Sequence, residues 1–212
     1  MTEGSPTPAP VARGPYRTGI RRREQIVARA AEVFAEFGYA GGSIRVIAAR
    51  VGIAPASLLQ HFGSKEGLLE AVLEDWTRQT EAQRLPSDLH GLAALESFRS
   101  VTRFHLEHRG LLELFLTMAA EASSATHPAR VFIQRRYADG IARQQLYLRE
   151  ARDLGEVGPM TDEQIEAEAS MSFAILDGLE LQWLLDARVD LVGLFDTYLD
   201  AAISRWRAGR PL

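Results

Sequence analysis

The chain has no cysteine in its 212 residues. That excludes disulfide staples, thiolate metal sites and a cysteine nucleophile, and leaves core packing to hold the fold. Lysine is nearly missing as well. Lys65 stands alone beside 23 arginines, the compositional bias of a genome rich in G and C. No apolar run approaches the roughly 20 residues of a membrane span. The opening MTEGSPTPAPVARGPYR holds no apolar core of the kind a secretory signal needs, so the expected location is cytoplasmic. No segment alternates with period two and β-branched enrichment, which argues against strands. There is no serine elbow, glycine-rich phosphate loop or paired-acid motif, so the expectation is no catalytic residue, no cofactor and no enzyme. His105 and His108, three apart on a helix with Glu107 and Glu113 nearby, lack a third ligand at convincing spacing. They are read as a solvated polar face, with no metal expected.

What is present is helical periodicity over a chain that is 46% hydrophobic, enough for one or two folded domains. The most specific stretch is Ser43 to Leu69. Ile44, Ile47, Ala48 and Val51 make one apolar face of a short helix, with Ser43 at its N-cap and Gly52 at its left-handed end. Pro55 then opens a second helix at a position where its missing N–H costs nothing. Leu58 and Phe62 give that helix its buried side, and Gly63 ends it. Ser64 caps the next. Two short helices joined by a tight glycine turn are the grammar of a helix-turn-helix, which presents its second helix to the major groove.

Charge points the same way. The chain is acidic overall, at −4, but residues 1–65 hold nine Lys+Arg against four Asp+Glu, a net of +5. Residues 66–212 hold fifteen against twenty-four, a net of −9. A basic head on an acidic body is the footprint of phosphate contact from one end. Arg17, Arg21, Arg22 and Arg23 cluster at the expected entry of the first helix, where positive charge opposes the helix dipole and is better explained by a polyanion.

Around this core the chain reads as helix throughout. Ile26, Ala30, Val33, Phe34 and Phe37 form the stripe of a first helix closed by Gly38. Leu68, Leu69, Val72, Leu73 and Trp76 mark a connecting helix. Leu85-Pro86-Ser87 breaks the chain before a helix to about His108, and an apolar helix follows Gly110. A long helix runs from about Pro128 to Asp153. Thr161-Asp162-Glu163-Gln164 is a capping box opening another, and Asp190 starts the last. The last two helices carry apolar residues around more than one stripe, more than a helix needs against its own core.

The string from Arg23 to about Trp76, with AEVFAEFGYAGGSI, IAARVGIAPASL and HFGSKEGLLEAV, resembles the DNA-binding domain of TetR-family transcriptional regulators. The resemblance implies an all-α fold of about nine helices: a disordered arm at 1–16, a three-helix helix-turn-helix domain at 17–66, and a helical effector-binding and dimerisation domain at 67–212. It implies a ligand-responsive regulator, a repressor that binds a palindromic double-stranded operator as a homodimer and is released by a small-molecule effector. Position by position, it points to Ser43, His61 and Lys65 at phosphates, to which the charge cluster adds Arg17 and Arg21 as DNA contacts. Arg45 is the best candidate for reading a guanine, and Pro55, Ala56, Ser57 and Gln60 face the groove. Leu59 departs from the pattern, standing where the family most often has an aromatic residue. In the body, the expected effector-site residues are Trp76, Phe104, Phe115, Met118, Glu121, His127, Phe132, Tyr137, Phe173, Asp177 and Trp183. The expected dimer interface is Ala174, Gly178, Leu181, Leu185, Leu194, Tyr198 and Ala201. The reading from a different class is a helical small-molecule-binding protein or enzyme without DNA function.

Overall fold

The computed structural model describes residues 15–84 and 88–212, with side chains from Gly19 onward. Most of the expected arm, the side chain of Arg17 and the expected break at Leu85-Pro86-Ser87 lie outside the described residues. Ten helices and no strand are found among those described. They are α1 (Pro15–Gly41), α2 (Ile44–Val51), α3 (Pro55–Phe62), α4 (Lys65–Ala82), α5 (Gly91–Glu96), α6 (Arg99–Glu107), α7 (Arg109–Glu121), α8 (Arg130–Asp153), α9 (Asp162–Leu185) and α10 (Leu191–Arg207). The helix expected before His108 is two, α5 and α6. Ser97 and Phe98 join them through i→i−3 bonds, Phe98 N–H to Leu95 and Val101 N–H to Phe98. No helix among the described residues is long and apolar enough to cross a membrane.

The start of α1 differs from the sequence reading. It opens at Pro15, a favoured first position, so Pro15 and Tyr16 belong to the helix and not to the arm. Arg21, Arg22 and Arg23 consequently stand in its second and third turns, where the dipole penalty has faded. Phe37 also departs from the expected stripe and is 47% exposed. The regular helix is interrupted just after it, at Gly38, whose φ of 67° lies outside the helical region.

The head is a small three-helix unit. Ile26, Ala30, Val33 and Phe34 of α1, Ile47 and Ala48 of α2, and Leu58 of α3 are almost fully buried together. The turn between α2 and α3 is a Schellman end. Gly52 adopts the left-handed conformation, its N–H bonds Ala49, and the N–H of Ile53 reaches back to Ala48 at 3.0 Å. Ser43 caps α2 by accepting from the Val46 N–H, and Ser64 caps α4 by accepting from the Gly67 N–H.

The core then continues without a break into the body. Leu68, Leu69, Val72, Leu73 and Trp76 of α4 pack with the head residues on one side and with Phe104, Leu112, Phe115 and Met118 of α6 and α7 on the other. A second cluster joins α5, α8, α9 and α10 around Ile165, Phe195, Leu199 and Trp206. Leu179 on α9 touches both. The capping box of α9 is present in full, Thr161 with Gln164 in both directions.

One close approach fixes α3 on α4. A Cβ at Gly67 would stand 2.2 Å from the carbonyl oxygen of Phe62, the last residue of α3. Gly67→Ala is therefore expected to destabilise the chain by about 1–3 kcal/mol through overpacking. Gly19→Ala, within α1 and with nothing within 4 Å, serves as control and should hold or raise the thermal midpoint, because alanine is the better helix former.

Candidate nucleic-acid interface and internal cleft

The side of α3 turned away from its core residue Leu58 is exposed: Pro55, Ala56, Leu59, Gln60 and His61, with Ser57 half-buried. Leu59 is 40% exposed, an apolar side chain presented to solvent in the middle of this surface. Ser43 and Arg45 on α2 are exposed as well. The Ser43 hydroxyl accepts the capping bond at 3.3 Å, which leaves its own hydrogen free to donate outward. Among the described residues, Arg45 and Arg21 have no ion-pair partner, whereas Arg50 is tied to Glu36 of α1 at 2.9 Å.

Two basic groups are held more closely than the sequence suggests. The Arg23 guanidinium lies 4.7 Å from the ring centre of Phe62, bracing α1 on the end of α3. Lys65 is half-buried. Its ammonium lies 4.2 Å from the Tyr39 ring centre and 3.5 Å from the Ala40 carbonyl. Tyr39 completes this knot by donating to Glu66 at 2.9 Å. Burial first, and the Glu66 carboxylate second, push the Tyr39 hydroxyl up to about 12. Sequence reasoning passed over Tyr39. Its signal was a lone aromatic residue between two glycine-rich steps in YAGGS.

In the body, a narrow cleft runs between α4, α6, α8 and α9, with a cavity volume of about 60 Å³. Phe98, Val101, Phe115, Phe173 and Leu176 make its apolar walls. Thr77 and Thr80 of α4, His105 of α6, Arg136 of α8, and Asp177 and Glu180 of α9 supply polar groups, with Glu81, Arg84 and Arg143 also lining it. An apolar body with a few convergent polar groups is the usual make-up of a small-molecule site.

The polar groups are ordered by burial. His105 and Glu180 are 3% and 2% exposed, and the imidazole Nδ1 donates to the Glu180 carboxylate at 2.5 Å. The other ring nitrogen lies 3.3 Å from the Thr80 hydroxyl. His105 is thus not on a solvated face, as its charge suggested. It shares the register of Val101 and Phe104, and Glu180 shares that of Leu176 and Trp183, so both project into the interior. No group of metal-ligating side chains is found among the described residues. Tyr137 donates to Asp177 at 2.6 Å. Burial, the largest effect, raises the Asp177 carboxyl to about 6.

Of the expected effector-site residues, Phe115, Phe173 and Asp177 line the cleft. Tyr137 backs Asp177 and faces a more open and larger apolar groove between α7 and α9, which Glu121 also borders. Trp76, Phe104, Met118 and Trp183 are core, with the Trp76 ring stacked 5.0 Å from both Phe104 and His105. Phe132 packs on that core and His127 pairs with Glu121 at 3.4 Å, both away from the cleft. Missed were Thr77, Thr80, His105, Arg136 and Glu180. The signal available was charge falling on the apolar register of a helix.

All seven residues expected at a subunit interface are exposed or half-buried. Leu185 is 80% and Leu181 51% exposed, and with Gly178 they border the groove between α7 and α9.

The raised Asp177 carboxyl sets a pH dependence. Its folded-state value lies above its ordinary 3.8, so the folded state holds the proton more tightly. That stabilisation is complete below the ordinary value and is lost as pH rises toward 6. Asp177→Asn keeps an acceptor for Tyr137 without the charge. It is expected to be more stable than the parent at pH 8 by about 1–3 kcal/mol, a gap that closes toward pH 4 in urea titrations.

The sequence model described as bacterial regulatory proteins, tetR family, matches residues 26–72, the span from the α1 core into α4. The chain is 31% identical over 128 residues to the HTH-type transcriptional repressor KstR2 of Rhodococcus jostii, covering 60% of this chain and 55% of that one. It is 27% identical over 178 residues to the A-factor receptor protein of Streptomyces griseus, covering 82% and 59%. The chain thus spans less than two thirds of the length of these two relatives. The structure of a SmeT–triclosan complex shares the fold, with a TM-score of 0.70, 24% identity, and 85% of this chain and 91% of that one covered. Residues 26–72 thus match the tetR-family model of bacterial regulatory proteins, and the head together with the helical body joined to it shares the fold of the SmeT–triclosan structure.

Proposed function

We propose that this chain is a ligand-responsive transcriptional repressor, not an enzyme, that acts in the cytoplasm as a homodimer on a palindromic operator. The observation that carries the reading is the exposed surface of α2 and α3 on a fully packed head, with its donors turned outward. Pro55, Ala56, Ser57, Leu59 and Gln60 enter the major groove, and Arg45 reads a guanine edge through its two-pronged guanidinium. Ser43, His61 and Arg21 hold phosphates, with Arg17 beyond them on α1. Lys65 contributes field more than contact, because Tyr39 and Ala40 hold it back. The named relatives support the rest of the reading. One is a repressor, one a receptor for A-factor, and SmeT is seen with triclosan.

In the dimer, the exposed faces of α9 and α10 pack as a bundle, covering Ala174, Leu181, Leu185, Leu194 and Ala201, and place two heads at the spacing of successive major grooves, about 34–36 Å. The effector occupies the internal cleft. Because Thr77 and Thr80 of α4 line it, occupancy acts directly on the helix that carries the head. The effector must bind the released state more tightly than the DNA-bound state, since only differential affinity moves the equilibrium.

Selection of bound sequences from a random duplex pool tests this function. The expected product is a palindrome, bound with a steep fall in affinity as salt rises; recovery of no palindrome contradicts it. Arg45→Ala is expected to cost about 1–3 kcal/mol at one symmetric pair of base positions and nothing at the others. Leu181→Glu with Leu185→Glu should convert the protein to monomers in sedimentation velocity and abolish operator binding with the head intact by circular dichroism.

A further inference from the structure

Each charged side chain in the cleft has a partner at a terminal polar atom, with one exception. Arg143 pairs with Glu81 at 2.6 Å, His105 with Glu180 at 2.5 Å, and Asp177 with Tyr137 at 2.6 Å. Arg84 bonds Ser97 and the Ala94 carbonyl and lies 3.8 Å from the ring centre of Phe98. Arg136 is different. Its Nε donates to the Thr77 hydroxyl at 3.1 Å, and its guanidinium lies 4.0 Å from the Phe115 ring centre. Its two terminal nitrogens have no hydrogen-bond or ion-pair partner among the described residues, and the residue lines the cleft. Burial pulls its basicity down, with Glu180 and Asp177 too distant to bond it yet close enough to act on it.

The guanidinium is half-buried, and the terminal nitrogens that find no partner in the protein stay open to the cleft, where a ligand can reach them. The two carboxylates beside it are already engaged, Glu180 by His105 and Asp177 by Tyr137. We infer that the ligand of this cleft is an amphipathic oxyanion, a carboxylate or phosphate on an apolar or aromatic body, whose anionic head takes the two free nitrogens of Arg136. A planar guanidinium presents such a pair of N–H groups in the geometry of a carboxylate or phosphate. Phe115 and Phe173 then cover the body of the ligand. The inference rests on the cleft being the effector site, and it adds a route. The Nε of Arg136 grips Thr77, and Thr77 in turn donates to the Leu73 carbonyl within α4. A ligand that pulls on Arg136 therefore pulls on the helix bearing the head.

Calorimetric titration of the full chain with three probes of one shape tests this: 4-phenylbutyrate, 4-phenylbutanol and 4-phenylbutylammonium. The expected order puts the carboxylate about 10- to 100-fold tighter than the alcohol, as a charge-assisted pair of bonds implies, and the ammonium weakest. Arg136→Met should bring carboxylate and alcohol to within about twofold of each other, while Arg136→Lys should keep part of the preference. Arg135→Met, which removes a neighbouring arginine that is 82% exposed and paired with Asp139, should keep all of it. Equal binding of the three probes, or a carboxylate preference that survives Arg136→Met, overturns the anion assignment and leaves the cleft as a site. Binding of none of the three overturns both.

Discussion

The contact chain Thr80–His105–Glu180 is the interaction on which the rest depends. It runs from α4 through α6 to α9 in a place where two of its members are almost wholly excluded from water. Buried polar groups must keep their partners, because an orphaned one costs about 1–3 kcal/mol and a charged one more. None of the three helices can move independently without breaking a bond that the interior offers no means of replacing. Trp76 stacked on the imidazole extends the same constraint along α4. Holding these helices at a fixed separation also keeps the space between them open, and that space is the cleft.

The consequence is a lever with its two ends in different surroundings. The first half of α4, from Leu68 to Leu73, is part of the core of the head. The second half places Thr77, Thr80 and Glu81 in the wall of the cleft. A second strut keeps the motion from dissipating. Gly110, in the first turn of α7, approaches Ala35 of α1 so closely that a Cβ there would stand 2.8 Å from the alanine methyl. The head is thus gripped at α4 and leaned on at α1, an arrangement suited to turning small displacements in the body into a change of head spacing in the proposed dimer.

The head was legible in the sequence because its determinants are local. Ser43, Gly52, Pro55, Gly63 and Ser64 each act on the backbone within a few residues, and they occupy the caps and turns their chemistry predicts. The helices of the body were legible by periodicity, down to the capping box at Thr161. The cleft was not. An aromatic residue has the same periodicity whether it lines a cavity or fills a core, so Trp76 and Phe104 were indistinguishable from Phe115 and Phe173. The informative residues were His105, Arg136 and Glu180, polar groups at interior positions. A single chain read in order gives no way to see that α6, α8 and α9 bring them together. Phe37 and the start of α1 failed for a simpler reason, since a helical pattern does not state where its covering partner ends.

The absence of native cysteine makes the control of head separation by the buried contact chain directly measurable in the proposed dimer. Gln60→Cys, on the exposed side of α3, gives one spin label per subunit and one label-to-label distance in the proposed dimer. The account predicts a narrow distribution centred near 34–36 Å, one turn of duplex, in the otherwise unaltered protein. It predicts a broadened or displaced distribution when Thr80→Val cuts α4 from His105. Superimposable distributions from the two proteins would contradict it.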